Sequence, residues 1–185
     1  GKGSIMAQLL PSGPDFPVTG AGRLVVALIY SARQRIVITT PYFIPDVALV
    51  EALETAVLRG VEVNLILSRV SDNILVGLAQ RSYYDQMLRA GITIYLYGDG
   101  LLHAKHIMVD DLICVVGSTN IDIRSFQLNA EASLIIYDEK LARMLAAEQS
   151  KNIASSERLS QEVWNQRAVP VKLAQNIARL VSPLL

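Results

Sequence analysis

The chain has 185 residues, which is enough for one domain with a substantial core and too few for two independent cores. Its 17 Lys and Arg balance its 17 Asp and Glu, so a basic field cannot be the main source of anion binding, and we expect no nucleic-acid partner. Hydrophobic residues make up 51% of the chain, but charged residues interrupt each apolar run well before a membrane-spanning length.

The beginning of the chain predicts a linker followed by a helix and a strand. Residues 1–20 are rich in Gly, Pro and Ser, and we expect them to be a linker or a cloning remnant in front of one domain over residues 21–185. Apolar residues at helical spacing predict a helix over 23–33. The β-branched run 35–40 predicts a short buried strand.

The next hundred residues alternate between helix and strand patterns. Asp46 is placed to cap a helix that Gly60 ends, and a second helix begins at Asp72 or Asn73 and ends before Gly91. Apolar strand patterns follow each helix, over residues 61–68 and 92–97. Such alternation implies right-handed crossovers, so we predict an α/β fold with a mixed, mostly parallel sheet and helices on both faces.

A hairpin is predicted next, over two β-rich runs at residues 103–109 and 112–118. Only Asp110 and Asp111 separate the runs, which is the spacing of a tight turn. If Val109 faces Leu112, Lys105 lies opposite Val116 and His103 opposite Ser118. A strand over 131–137, a helix over 139–151 and two further helices within 155–185 complete the prediction.

The hairpin carries most of the interpretable chemistry. Side chains alternate along a strand, so His103 and Lys105 point to one face and His106 to the other. An imidazole beside an ammonium suits a phosphate group, because the ammonium neutralises the oxygens and the imidazole acts as a nucleophile or proton carrier. Ser118 and Asn120 would add neutral hydrogen-bond donors.

Two acidic residues are candidate partners of these groups. Glu131 suits a contact to His103, since a carboxylate on the far ring nitrogen fixes the tautomer and stabilises the imidazolium. Asp110 lies at the turn, on the opposite strand parity from His103, so we expect it to have a structural role and to bind turn amides or a cation.

Other interpretations of the same residues remain open. The short pattern His-x-Lys occurs often by chance, and His106 is more simply explained as a packing residue. A metal site built from His103, His106, Asp110 and Asp111 is conceivable, but strand parity spreads these groups over two faces. The segment could also be a polar hairpin without catalytic function.

The combined pattern resembles a known family. H-A-K-x-x-x-x-D at residues 103–110, G-S-x-N at 117–120 and Glu131 are similar to the HKD signature of the phospholipase D superfamily. Within that superfamily, the chain resembles the C-terminal half of the bacterial cardiolipin synthases. Further similar segments are SGPDFP at 12–17, TPYFIPD at 40–46, RSYYDQMLRAGITIY at 81–95, NIDIRSFQLNAE at 120–131 and the terminal SPLL.

The resemblance implies a phospholipase D-like fold and a role for each matching residue. It implies a catalytic set of His103, Lys105, Asp110 and Glu131, with His103 as general acid and then general base. The positions matching the phosphate-binding groups are Lys105, Ser118 and Asn120. Positions resembling headgroup-side or supporting residues are Tyr42, Arg124 and Asn129.

The resemblance also implies a reaction and its partners. Two phosphatidylglycerols would give cardiolipin and glycerol through a phosphohistidine, with no metal or nucleotide cofactor. The substrate and anionic membrane lipid would be partners of a domain peripheral to the cytoplasmic face of the bacterial inner membrane. The alternative is a phosphodiesterase or nuclease acting as a homodimer, or a non-catalytic half.

One departure from the family pattern affects this prediction. The family joins two HKD motifs at one phosphodiester, and this sequence holds one, because its other histidine is His106. We therefore expect an inactive half of a longer protein that needs the N-terminal HKD half, or a chain that pairs with a second copy.

Overall fold

The computed structural model describes residues 5–16 and 20–181. The strands are β1 (Met6–Ser12), β2 (Arg35–Thr40), β3 (Phe43–Ile44), β4 (Glu62–Ser68), β5 (Thr93–Tyr97), β6 (His106–Val109), β7 (Ile113–Gly117), β8 (Ile121–Asp122), β9 (Glu131–Tyr137) and β10 (Ser156–Arg158). The helices are α1 (Gly20–Ser31), α2 (Val47–Leu58), α3 (Ile74–Arg89), α4 (Ile123–Gln127), α5 (Glu139–Ala154), α6 (Gln161–Asn165) and α7 (Val169–Val181).

Eight strands form one sheet, in the order β1-β9-β7-β6-β2-β4-β5-β10, and β3 pairs with β8 in a small separate sheet. In the large sheet β2, β4 and β5 run parallel to one another, whereas the other neighbouring pairs are antiparallel. The predicted α/β fold with a mixed sheet is confirmed. The prediction that the sheet is mostly parallel is wrong.

The connections between strands explain the difference. Parallel neighbours need a crossover, and α2 and α3 provide one between β2 and β4 and one between β4 and β5. After β5 the chain makes shorter connections. A tight turn joins β6 to β7, and only β8 and the five-residue α4 lie between β7 and β9, so these strands return antiparallel.

Strand β1 corrects the linker prediction for part of the N-terminal segment. Met6–Ser12 pairs antiparallel with Glu131–Tyr137 along its whole length. Pro11 is compatible with this position, because β1 is at the edge of the sheet and one side of its backbone needs no partner strand. Residues 1–4 and 17–19 of the predicted linker lie outside the described residues.

Helices cover both faces of the sheet, as predicted. Alternate residues of β6 show the division: Ile107 and Val109 belong to the large core shared with α1, α2 and α3. Met108 points to the other face, where it packs with Cys114 and with Ala142 of α5. None of the described helices is long and apolar enough to cross a membrane.

Two predicted helix caps are present and help to place the candidate site. The Asp46 carboxylate accepts a hydrogen bond from Leu49 N at 2.8 Å at the start of α2. Asn73, and not Asp72, caps α3 by accepting from Leu75 N at 2.9 Å. The Asp72 carboxylate is therefore available for a contact elsewhere, which is described below.

The C-terminal part of the chain contains the two predicted helices, α6 and α7, and a strand that was not predicted. Strand β10 pairs antiparallel with β5 at the second edge of the sheet. Residues 182–185, which include part of the predicted last helix and the SPLL segment, lie outside the described residues.

Candidate active site

The segments carrying the predicted site residues meet at one end of the sheet. There β6 begins, β7 ends and β9 begins, so Lys105, Gly117 and Glu131 are brought together. Backbone hydrogen bonds continue the pairing past the strand ends, from Gly117 N to Lys105 O at 3.3 Å and from Ser118 N to Ala132 O at 3.0 Å.

The turn of the predicted hairpin is present, with one additional residue. Asp110 (φ 53°) and Asp111 (φ 54°) occupy its centre in the left-handed region, and Leu112 N donates to Val109 O at 3.1 Å. Val109 nevertheless faces Ile113 in the ladder, so Leu112 is unpaired between turn and strand. This extra residue shifts the register by one position.

The predicted cross-strand pairs are wrong because of this shift. Lys105 lies opposite Gly117 and not opposite Val116. His103 is not paired with Ser118, since the regular strand begins three residues after His103. Lys105 and Ser118 still lie at the same end of the sheet, so the predicted neighbourhood is retained although the register is not.

Lys105 is half-buried, and the charges of two carboxylates act on it. Partial burial lowers the pKa of Lys105, and the charges of Glu131 and Asp122 oppose that effect. Its ammonium donates a hydrogen bond to His103 O at 3.0 Å, which holds the backbone next to the histidine. Lys105 thus places a positive charge at this end of the sheet.

The two histidines lie in opposite environments, as strand parity predicted. The side chain of His103 is exposed, on the segment that leads into β6. His106 is buried, and its Nδ1 lies 3.1 Å from Gln149 Nε2 of α5. Burial lowers the pKa of His106 to about 4, so this ring is neutral and accepts the hydrogen bond at Nδ1.

Asp110 lies at the far end of β6 from the candidate site. Its carboxylate accepts hydrogen bonds from three consecutive amides, Arg33 N, Gln34 N and Arg35 N, at 2.8, 2.8 and 3.0 Å. These hydrogen bonds lower its pKa despite partial desolvation. Five residues of extended chain separate Asp110 from Lys105, about 16 Å, so its observed contacts tie the turn to the start of β2.

Gly117 and Ser118 join β7 to the start of β9. A Cβ at Gly117 would lie 2.3 Å from Ala132 O and 2.4 Å from Ser133 Oγ, so only glycine fits between the strands here. The Ser118 hydroxyl accepts a hydrogen bond from Ala132 N at 3.1 Å. Ser118 is therefore held next to Glu131 through the backbone.

A polar cleft of about 340 Å³ lies beside this end of the sheet and contains four predicted residues. They are Asn120 of the G-S-x-N segment and the three positions to which the resemblance gives a headgroup-side or supporting role, Tyr42, Arg124 and Asn129. Their meeting depends on the small sheet, in which β3 pairs with β8. Residues that are nearly eighty positions apart in the sequence line one cleft as a result.

Two cleft residues were missed by the sequence analysis. Asp72 accepts a hydrogen bond from the Tyr42 hydroxyl at 2.7 Å, and burial together with this contact raises the pKa of Tyr42 to about 12. Asp122 accepts from Ser125 N at 2.6 Å as the cap of α4, and burial raises its pKa. Asp122 could have been recognised as a helix cap, whereas Asp72 has no sequence signal beyond its neighbour Asn73.

The conceivable metal site is not assembled. His103 is exposed near Lys105, His106 faces α5, and Asp110 binds backbone amides at the other end of the strand. Over residues 5–16 and 20–181, no group of three or more His, Cys, Asp or Glu side chains is placed to hold one ion. The four residues of the conceivable metal site are therefore not brought together.

Comparison with known proteins gives the family. The sequence model of the cardiolipin synthase PLD-like domain matches residues 25–152, which include the hairpin, the cleft residues and Glu131. The chain belongs to the cardiolipin synthase PLD-like domain family. Among curated relatives, the chain is 39% identical over 184 residues to the major cardiolipin synthase of Bacillus subtilis (strain 168) and 40% identical over 178 residues to cardiolipin synthase A of Serratia proteamaculans (strain 568).

These relatives are longer proteins. The alignments cover 100% and 96% of this chain but 38% and 37% of the two relatives, so the chain spans less than two fifths of their length. The cardiolipin synthase of Clostridium perfringens (strain 13 / Type A) gives the same picture, with 39% identity over 184 residues and 39% of its length covered.

Solved structures show the same fold. The domain superposes on phosphatidylserine synthase of Haemophilus influenzae Rd KW20 with a TM-score of 0.77 and 21% identity, covering 98% of this chain and 48% of that one. The phospholipase D family member Nuc of Salmonella typhimurium gives a TM-score of 0.71 and 23% identity, covering 84% and 99%. The predicted phospholipase D-like fold is confirmed.

Proposed function

We propose that this domain takes part in phospholipid transphosphatidylation, in which two phosphatidylglycerols give cardiolipin and glycerol. The observation that carries the proposal is the position of Lys105, a half-buried cation beside Glu131 at the sheet end, with the exposed His103 two residues away. Membership in the cardiolipin synthase domain family supplies the substrate class.

The proposed phosphate site consists of charge from one residue and neutral donors from two others. Lys105 would neutralise the phosphodiester oxygens, and its reduced hydration makes that interaction stronger than it would be in bulk water. Ser118 and Asn120 would donate hydrogen bonds from the adjoining turn. The Asn120 side chain already lines the polar cleft, where a glycerol headgroup could lie.

The chemistry requires two histidines. One attacks the phosphorus of the first phosphatidylglycerol, forming a phosphorus–nitrogen bond while the bond from phosphorus to the oxygen of the headgroup glycerol breaks. In this proposal His103 gives a proton to that leaving oxygen, which departs as glycerol. In the second step His103 removes a proton from the incoming hydroxyl of the second phosphatidylglycerol, whose oxygen bonds to phosphorus as the phosphorus–nitrogen bond breaks and frees the attacking histidine. Glu131 would orient the imidazole and stabilise its protonated form.

The second histidine must come from outside this hairpin, because His106 is buried on the opposite face of the sheet. We propose that a further HKD-bearing segment supplies it, either from another part of a longer protein or from a second copy of this chain. The isolated domain would then be inactive unless it pairs. The polar cleft carries Asp72 and Asp122 as well as Arg124, so it suits an uncharged glycerol better than a nucleic-acid backbone.

The test is to incubate the purified chain with phosphatidylglycerol vesicles and, in parallel, with single- and double-stranded DNA. Cardiolipin formation, by the chain alone or after addition of the upstream HKD half of such a synthase, supports the proposal. EDTA should leave the rate unchanged. DNA cleavage without cardiolipin formation would contradict it.

Mixing wild-type chains with a Lys105→Gln variant separates the two sources of the second histidine. If two copies build one site, the rate follows the square of the wild-type fraction, because mixed pairs hold one damaged half. If the upstream half completes the site, the rate is proportional to the wild-type fraction.

A further inference from the structure

Helix α7 presents its apolar side to the outside of the domain. Val169, Leu173, Ile177 and Leu180 follow one another at intervals of four, four and three residues, which places them on one side of the helix. They are 75%, 59%, 55% and 81% exposed. We call these four residues the outward stripe.

The opposite side of α7 packs on α3 through mostly polar groups. Gln175 and Ala178 are buried in this contact. The guanidinium of Arg179 lies 4.3 Å from the centre of the Tyr83 ring and donates to Gln86 Oε1 at 3.0 Å. A helix that faces water usually has the reverse arrangement, with its apolar side inward. The outward stripe is therefore an exposed apolar surface of the kind that binds a partner.

A basic pocket of about 210 Å³ lies along one edge of α7, between this helix and α3. Its lining includes four cationic side chains, Arg89, Arg167, Lys172 and Arg179, and one carboxylate, Asp85. The chain as a whole has no net charge, so this is a local concentration of positive charge.

Neutral groups hold two of these cations in place. The Arg167 guanidinium stacks on the Trp164 ring at 3.6 Å, and Lys172 Nζ donates to Asn165 O at 2.8 Å. Such contacts orient a cation without neutralising it, so its charge remains available to an anion.

An apolar groove of about 850 Å³ continues from the C-terminal end of α7 toward the active site. Its apolar lining comes from Pro45, Val47, Val50, Ile123 and Leu180, and three carboxylates, of Asp46, Glu51 and Glu54, also line it. Leu180 belongs to the outward stripe, and Ile123 also lines the polar cleft. The stripe, the groove and the cleft therefore form one continuous surface.

We propose that this surface docks on a bilayer rich in anionic phospholipid. The outward stripe enters the interfacial region, the basic pocket binds headgroup phosphates, and the apolar groove guides a glyceride chain as its headgroup enters the polar cleft. The inference rests on the proposed function, since it concerns how a phospholipid reaches that site.

A bilayer explains these features better than a protein partner does. A protein interface would account for the outward stripe alone, whereas a lipid surface accounts for apolar residues, adjacent cations and a route to the site together. An amphipathic helix with apolar residues on one side and cations beside them is the usual form of an interfacial anchor.

The first experiment measures binding of the purified chain to vesicles by co-sedimentation, which requires no turnover. Vesicles of phosphatidylcholine alone are compared with equimolar phosphatidylglycerol and phosphatidylcholine. The double variant Leu173→Glu/Ile177→Glu should bind the mixed vesicles about tenfold more weakly or worse. The matched control is Leu58→Glu/Met144→Glu, at sites that are 87% and 61% exposed on other helices, and it should bind like wild type.

The second experiment tests the basic pocket with one substitution. Lys172→Glu should weaken binding to the mixed vesicles about fivefold or more and leave the weaker binding to phosphatidylcholine unchanged, because the lost interaction is electrostatic. Urea unfolding of each variant checks that the fold is kept. If the double variant does not fold, Lys172→Glu still tests the inference, because it changes a single side chain.

The outcomes separate this inference from the proposed function. Vesicle binding that depends on Leu173, Ile177 and Lys172 supports the inference even where no cardiolipin is formed. Binding that is equal for wild type and all these variants overturns it, even for an active enzyme. Self-association that the double variant abolishes, without vesicle binding, would show a protein interface and would also overturn it.

Discussion

Gly117 is the residue at which the geometry of the candidate site is most restrictive. The chain passes so close to β9 that any side chain would overlap backbone atoms of Ala132 and Ser133. The same close approach holds Ser118 against the start of β9, next to Glu131. A glycine before the serine is therefore a packing requirement of this site, independent of any contact with substrate.

The variant Gly117→Ala tests this requirement. We expect it to lower the free energy of unfolding by about 1–3 kcal/mol, because the new methyl group must displace backbone and not a flexible side chain. Urea denaturation measures the change. Gly20→Ala is the control, since a Cβ there would meet no atom within 4 Å; equal effects of the two variants would contradict the account.

Asp110 belongs to the family motif, but its contacts are to the backbone of a neighbouring segment. Its carboxylate binds three amides before β2, and its left-handed backbone is one that Asn also tolerates. Asp110→Asn therefore removes the charge without straining the turn. We expect it to lower the free energy of unfolding by about 1 kcal/mol at neutral pH.

The pH dependence of that difference has a definite sign. The folded-state pKa of Asp110 is lowered, so its contribution is fully present above the unfolded value of about 4 and is lost as the pH falls through the folded value. When the free energy of unfolding is plotted against pH, the curves of wild type and Asp110→Asn should run parallel near pH 7 and converge in acid. Asp99→Asn, on an exposed loop, is the control; a difference that grows in acid would contradict the assignment.

At the scale of elements, α5 closes one face of the sheet around a neutral histidine. His106 is 7% exposed and bonded to Gln149, and a proton on the ring would meet the donating amide of that side chain. Its pKa is about 4 in the folded protein and about 6.5 when unfolded, so the unfolded chain binds the proton first. The contribution of His106 to stability is therefore lost as the pH falls from 6.5 toward 4.

His106→Asn should remove this dependence, since the Asn amide oxygen can replace Nδ1 as the acceptor for Gln149. We expect the free energy of unfolding of wild type to fall by up to about 1 kcal/mol per pH unit over this range, and that of the variant to depend less on pH. Cys114→Ala, in the cluster under the same helix, is the control: it should lower stability while keeping the wild-type slope. An unchanged slope in His106→Asn would contradict the prediction.

Local patterns predicted the elements whose determinants are adjacent in the sequence. The caps at Asp46 and Asn73 and the separation of His103 from His106 follow from neighbouring residues. The one-residue error in the hairpin arose because Leu112 continues the strand pattern yet stays unpaired. The amphipathicity of α7 identifies its apolar side, but the sequence of α7 does not show that this side faces outward, because the orientation is set by packing against α3.

At the scale of the whole molecule, long-range pairing determined what the sequence could not predict. Strand β1 is anchored by β9, more than a hundred residues later, so its own residues resemble a linker. The polar cleft depends on β3 meeting β8, two strands of two residues each. Lys105 and Ser118 could be predicted to lie at the same end of the sheet because one hairpin carries both, whereas the role of Asp72 in the cleft is shown only by its contact with Tyr42.

The central claim is that His103, and not His106, is the reacting histidine of this domain. The most direct measurement compares the rates of cardiolipin formation by His103→Asn and His106→Asn, each in the assembly that makes wild type active and at a temperature where both variants are folded. We predict that His103→Asn lowers the rate about a thousandfold or more and that His106→Asn changes it less than about threefold. Similar losses in both variants, or an active His103→Asn, would contradict the account.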